Sequence, residues 1–171
     1  MTRKILAGFV LPALLALVLS ACGATAADHN EADVTFAQQM IPHHRQAVDM
    51  AAPVPQHTGN AQVIALANQI SQAQQPEIDQ LTGWLKQWGS AEMADHGSMS
   101  GMVDTGDLGT LRDSAYDRKW LQLMVEHHRG AIDMARTELA QGGNADAKAM
   151  AQRIVDSQQA EVDTMTALLA A

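Results

Sequence analysis

The 171-residue sequence has a single cysteine, and only 4% of its residues are aromatic. One cysteine, Cys22, excludes an internal disulfide and leaves no thiolate to ligate a metal in the folded part. Core packing must therefore supply the stability. Sparse aromatics beside plentiful Ala, Gln and Met favour helices over strands. Basic residues are scarce too: 11 Lys and Arg face 19 Asp and Glu, a net charge of −8 that becomes −10 once Arg3 and Lys4 are set aside with the leader described below. A surface this acidic excludes nucleic acid and anionic lipid headgroups as natural partners and mildly attracts cations. The chain has no Ser or Cys nucleophile arrangement and no Gly-rich phosphate cradle, so no enzymatic activity is expected.

The first feature present is a leader. Arg3 and Lys4 precede an apolar run from Ile5 to Leu19, which ends in Leu19-Ser20-Ala21-Cys22. A run this short, with small residues at its end, reads as an export signal over residues 1–21 rather than a spanning helix. The tetrapeptide resembles the bacterial lipobox, whose Cys is lipidated and becomes the first mature residue; the alternative is an ordinary signal cleaved after Ala27. The lipobox reading makes residues 22–32 a tether and places the protein on the outer side of the cytoplasmic membrane or in the periplasm, membrane-bound through its lipid.

An internal repeat organises the rest. With a shift of 84 residues, Met40-Ile-Pro-His43-His44-Arg45-Gln-Ala47-Val-Asp49-Met50-Ala51 lies on Met124-Val-Glu-His127-His128-Arg129-Gly-Ala131-Ile-Asp133-Met134-Ala135. The same shift pairs Gly59-Asn60-Ala61 with Gly143-Asn144-Ala145, and Gln74-Gln75 and Glu77 with Gln158-Gln159 and Glu161. About two in five positions from Asp33 to Leu85 are identical to their partners, so the chain is a duplication.

Each copy reads as two helices. The first spans about Asp33 to Ala52 and stops at Pro53-Val54-Pro55; Asn60 caps a second that reaches about Trp88. In the second copy, Ser114-x-x-Asp117 resembles a capping box. Gly142-Gly143 ends that helix near Gln141, and Asn144 caps the last. Short loops make paired helices antiparallel neighbours. The expected architecture is an all-α antiparallel four-helix bundle: a hairpin over 33–88, a Met- and Gly-rich linker over 89–110, and a second hairpin over 111–171.

Helical spacing puts Met40, His43, Ala47 and Met50 on one stripe, with His44 beside it, and the second copy repeats this with Met124, His127, Ala131, Met134 and His128. Met at this spacing is ordinarily core filler, but the His pair with flanking Met recurs in both halves and marks a candidate site. Arg45 with Asp49, and Arg129 with Asp133, are expected to form outer-face pairs worth tenths of a kcal/mol. Glu77 and Glu161 fall on apolar stripes, where a carboxylate is costly unless partnered. Their partners are an imidazole, Arg45 or Arg129, or a metal ion; a carboxylate that orients a ligating His ring satisfies both facts. The linker holds Met93, His96, Met99 and Met102 at spacings of three. Three thioethers and one imidazole form a soft, neutral ligand set suited to Cu(I) or Ag(I).

The doubled His-His motif resembles the bacterial family called domain of unknown function 305, over about Asp33 to Leu169. The resemblance implies a ferritin-like helical bundle, exported and often lipid-anchored, some of whose members are periplasmic copper-binding proteins. Carried onto this sequence, it implies Met40, His43, His44, Met50, Met124, His127, His128 and Met134 as ligands. The leading expectation is a protein that sequesters or delivers Cu(I), with a copper-handling protein or a second copy as its partner. The alternatives are a ferritin-like di-metal enzyme using the four His with Glu77 and Glu161, and a metal-free bundle whose buried polar network fixes helix register. Ferritin-like sites usually present Glu-x-x-His, whereas Met stands three residues before His43 and His127 here.

Overall fold

Asn30 opens the first helix. Its side chain accepts the backbone N–H groups of Ala32 and Asp33 at 2.8 and 3.2 Å, and the Asp33 carboxylate reaches back to the Asn30 N–H at 2.6 Å. This reciprocal box starts α1 (Glu31–Ala51) slightly ahead of the expected Asp33. The computed structural model describes residues 28–93 and 101–171; the leader, Cys22, His96 and Met99 lie outside them. After α1 the Pro53–Pro55 segment makes a single turn, α2 (Val54–His57). Asn60 caps α3 (Ala61–Gln87), a 3-10 turn spans Leu108–Thr110, α4 covers Asp113–Gln141, and Asn144 caps α5 (Ala145–Ala170). The described residues are all-helical, with four long helices.

Two local expectations are corrected. The Ser114–Asp117 capping box does not form: α4 starts at Asp113 behind Arg112 with no side-chain cap, which puts Ser114 inside the helix, and Asp117 accepts the Asn60 side-chain N–H at 2.9 Å. Neither outer-face ion pair forms. Arg45 meets Glu92 at 2.8 Å instead of Asp49, and Asp133 meets Arg136 at 3.7 Å instead of Arg129. Exposed pairs along one helix are so weak that any nearby carboxylate or guanidinium displaces them.

Helix α1 packs along both α3 and α4, and α4 packs along α5. Two apolar clusters each draw on all four long helices. One includes Met40, Ile78, Met134 and Ile154; the other includes Met50, Ile70, Met124 and Met165. Between these anchors, on every helix, fall buried polar residues: His43 and His44 on α1, Gln74 on α3, His127 and His128 on α4, Gln158 and Glu161 on α5. Each fully buried Met, Ile or Leu stabilises by about 1.5–3 kcal/mol. A polar layer between two such clusters costs free energy unless its groups find partners.

One end of the bundle carries a second buried polar contact. The Asp33 carboxylate also accepts the N–H groups of Gly143 and Asn144, at 3.1 and 2.9 Å, and so clasps the loop joining α4 to α5. Burial works to raise this carboxyl, but hydrogen bonds from Glu138, Asn144, Asn30 and Gly143 outweigh it and hold it below the usual range. Glu138 is 1% exposed. Burial first, then the bond to Asp33 and its charge, push the Glu138 carboxyl up to about 8. Glu138 therefore keeps its proton at neutral pH, beside the ionised Asp33.

Candidate metal centre

His43, His44, His127 and His128 are each at most 1% exposed. Adjacent helix positions point about 100° apart, so both members of a pair are buried only because α1 and α4 each have neighbours on two sides. Every ring commits its Nε2 to an oxygen. His44 Nε2 meets Glu77 at 2.8 Å, and His128 Nε2 meets Glu161 at 2.8 Å. His127 Nε2 meets the His43 carbonyl at 2.9 Å, and His43 Nε2 meets the Gly101 carbonyl at 3.1 Å. Glu77 and Glu161 thus find imidazole partners, the first of the alternatives the sequence left open.

The other nitrogen behaves oppositely. All four Nδ1 atoms are buried without any hydrogen-bond partner. Carbonyl and carboxylate oxygens only accept, so the N–H that faces them sits on Nε2. The tautomer with Nδ1 bare is the one that strands no donor. Four lone pairs therefore point into the interior. Burial, and then repulsion from His44, pull His43 down to about 3; burial, and then His43 itself, hold His127 well below the usual histidine range. Their rings lie 3.7 Å apart between centroids, tilted by 32°. A proton on one would face the other across a dry contact, so both remain neutral, the form that ligates metals.

The layer contains more unpartnered polarity than the rings. Gln74 and Gln158, each 2% exposed, have neither amide atom bonded. Buried polar groups without a protein partner are uncommon and imply water or an ion. Thioethers flank the layer: Met40 and Met124 are 0% exposed, Met50 4% and Met134 9%. Met40 shares its apolar cluster with Met134, and Met50 shares the other with Met124. Bare imidazole nitrogens and thioethers form a neutral, soft donor set, which fits a monovalent soft cation. Among the described residues, no three His, Cys, Asp or Glu side chains are gathered to hold a metal ion. Any shell here would draw on imidazole pairs and thioethers instead.

Of the four linker candidates, only Met93 and Met102 fall among the described residues. Both are half-buried. Met102 joins Met50, His57 and Tyr116 in lining a cavity of about 490 Å³ beside α1. Sequence reasoning missed Gly101, whose carbonyl completes the His43 contact. A linker glycine offers no signal for that role.

The model of the family described as Domain of unknown function (DUF305) matches residues 33–169. The chain belongs to this family. Among solved structures, a DUF305 protein from Streptomyces coelicolor is 35% identical, with a TM-score of 0.77, covering 85% of this chain and 94% of its own. A DUF305 fragment from Deinococcus radiodurans is 31% identical, with a TM-score of 0.76, covering 82% and 97%. CopM in its Cu(I)-bound form is 28% identical, with a TM-score of 0.71, covering 80% and 94%; CopM has also been solved with Cu(II) and with Ag. No curated protein matches this chain.

Proposed function

We propose that this DUF305 protein is an exported, lipid-anchored carrier that sequesters or hands on Cu(I) in the cell envelope, by reversible binding rather than catalysis. The observation that carries the reading is the buried layer of four imidazoles, each with Nε2 committed to an oxygen and Nδ1 bare. Ligating histidines characteristically donate the other ring N–H to a carboxylate or carbonyl, which fixes the tautomer and raises the basicity of the free nitrogen. A related fold, CopM, takes up copper and silver. Met40, Met50, Met124 and Met134 flank the layer and match the softness of Cu(I). His43, His44, His127 and His128 are its proposed ligands, with Glu77 and Glu161 orienting His44 and His128 from behind.

The ferritin-like di-metal alternative is weakened at its carboxylates. Both Glu77 and Glu161 already accept a ring N–H, and the second Glu161 oxygen accepts the Gln69 side chain at 3.2 Å. At Glu161 both oxygens are therefore engaged, and at Glu77 one is. Duplicated hairpins remain our reading of the bundle's ancestry, with Met and His where ferritin-like sites carry carboxylates. Export and anchoring rest on the leader and Cys22; the Streptomyces coelicolor relative is named as a candidate secreted protein. No described helix is long and apolar enough to cross a membrane.

The experiment is an anaerobic Cu(I) titration against a coloured competing chelator. Tight uptake that is lost when His43, His44, His127 and His128 become Ala supports the buried layer. Loss only when Met93, Met99 and Met102 become Leu moves the site to the linker. If the unmodified protein does not compete at all, the layer is a structural network whose Nε2 bonds are complete without metal.

A further inference from the structure

Three of the four imidazoles take their acceptor from a helix: Glu77 on α3, Glu161 on α5, and the His43 carbonyl on α1. His43 alone takes it from a non-helical segment, through the Gly101 carbonyl at 3.1 Å. That segment is seated with unusual care. Val103 is 7% exposed, and the Gln46 carboxamide grips its backbone with both atoms: Val103 N–H donates to the Gln46 oxygen at 2.9 Å, and the Gln46 N–H donates to the Val103 carbonyl at 2.9 Å.

On the other side Gly101 presses on α4 at Gly130. A side-chain carbon on Gly130 would lie 2.3 Å from the Gly101 Cα, and one on Gly101 would lie 2.7 Å from the Gly130 Cα and 2.8 Å from the His43 Nε2. Gly101 also has φ +86, a left-handed conformation that favours glycine. A glycine inside a helix costs roughly 1 kcal/mol against Ala, and the crossing at Gly130 supplies its reason. Gln46 and Gly130 are the same position in the two copies, separated by the 84-residue shift. One copy grips the strap there and the other makes room for it.

We propose that residues 101–103 are a latched door on the histidine layer: the Gly101 carbonyl positions His43, Gln46 is the latch, Gly130 is the seat, and a soft cation enters and leaves by way of His43. The proposal rests on the Cu(I) reading above. Its physical basis is that the His43 acceptor is the one that can depart without unwinding a helix. When the strap lifts, the His43 ring loses its orientation and is uncovered; when it closes, the Nε2–H is held and Nδ1 is presented inward. Gln46 and Gly130 are positioning residues and touch no cation.

The test uses Ag(I) as a redox-inert probe on the purified protein, measuring equilibrium affinity and the release rate into excess competing thiol. Gln46→Leu removes both latch bonds, Gln46→Glu keeps only the acceptor, and Gly130→Ala fills the seat. Loss of a contact behind a metal ligand typically costs about 10-fold to 100-fold in binding. We expect release to accelerate by about that factor in Gln46→Leu and Gly130→Ala, and by less in Gln46→Glu. A second readout needs no metal. The His43 ring N–H should exchange with solvent faster in both variants, while those of His44, His127 and His128 keep their protection. Unchanged release rates in a parent protein that binds Ag(I), or equal loss of ring protection at all four histidines, would overturn the door. A parent protein that binds no Ag(I) overturns the carrier function and the door together.

Discussion

The two halves of the molecule make the same imidazole–carboxylate contact and differ in how deeply the carboxylate is set and in what particular neighbouring positions meet. His44 to Glu77 and His128 to Glu161 are both 2.8 Å. Yet the Glu161 side chain is 8% exposed, with its second oxygen taken by Gln69, while that of Glu77 is 21% exposed. At the positions paired by the repeat, Gln46 faces Gly130, and Val54 faces Glu138. The shared contact belongs to what both copies of the sequence repeat keep. The differences lie where one copy meets the strap at Gly101 and the other meets the Asp33 clasp. A repeat therefore separates residues held by common chemistry from those that serve only one half.

The sharpest way to break the comparison is to remove each carboxylate. Glu161→Ala leaves the His128 Nε2–H buried without an acceptor, which should cost about 1–3 kcal/mol. Glu77→Ala, whose site is open enough for water to substitute, should cost clearly less. Urea unfolding of the metal-free variants measures both, and equal losses would mean the halves are equivalent after all.

A pH-dependent effect separates Glu138 from Val54. The Glu138 carboxyl is raised from 4.5 to about 8 on folding, so its contribution to stability is complete below pH 4.5 and disappears as pH rises through 8. His43 works in the opposite sense: its folded value near 3 means its contribution is present above 6.5 and is lost as pH falls toward 3. Comparing Glu138→Gln with the parent isolates the first group. Gln never ionises, so the variant should melt progressively higher than the parent between pH 4.5 and 8, with no such gain at pH 4. A parallel pair of pH profiles would show that Glu138 is not the proton holder.

The smallest expected difference concerns the repeated arginines. Arg45 reaches Glu92 with both side chains well exposed, and Arg129 makes no ion pair among the described residues. Arg45→Ala and Arg129→Ala should each change stability by less than about 1 kcal/mol. A larger loss for Arg45 would give the segment around Glu92 a structural weight that the contact itself does not suggest.

These contrasts also mark what could be read from sequence. The repeat was legible as identity under a fixed shift of 84 residues, and the helix stops at Pro53 and Gly142 and the caps at Asn60 and Asn144 were legible because each is a local signal. The buried pairing of Glu77 and Glu161 was legible as a need for a partner, since a carboxylate on an apolar stripe requires one. The Ser114 box failed because α4 starts at Asp113, and Asp117 meets Asn60 instead, a contact between residues 57 apart that no local pattern encodes. Gly130 carries no signal of its own in the sequence, and only the crossing with Gly101 explains it. Glu138 did leave a trace: it follows Ala131, Met134 and Ala135 along the buried face of α4. The same argument that singled out Glu77 applies to it.

The central claim is that the Nδ1 atoms of the four buried histidines are the free ligands. Nitrogen-15 spectra of the ring-labelled protein, recorded without metal and with Ag(I), test it directly. The account predicts that all four rings start as the Nε2–H tautomer, and that Ag(I) moves Nδ1 resonances while the Nε2–H groups stay bonded to Glu77, Glu161, His43 and Gly101. Movement of Nε2 resonances with loss of those protons, or no movement at either nitrogen, would contradict it.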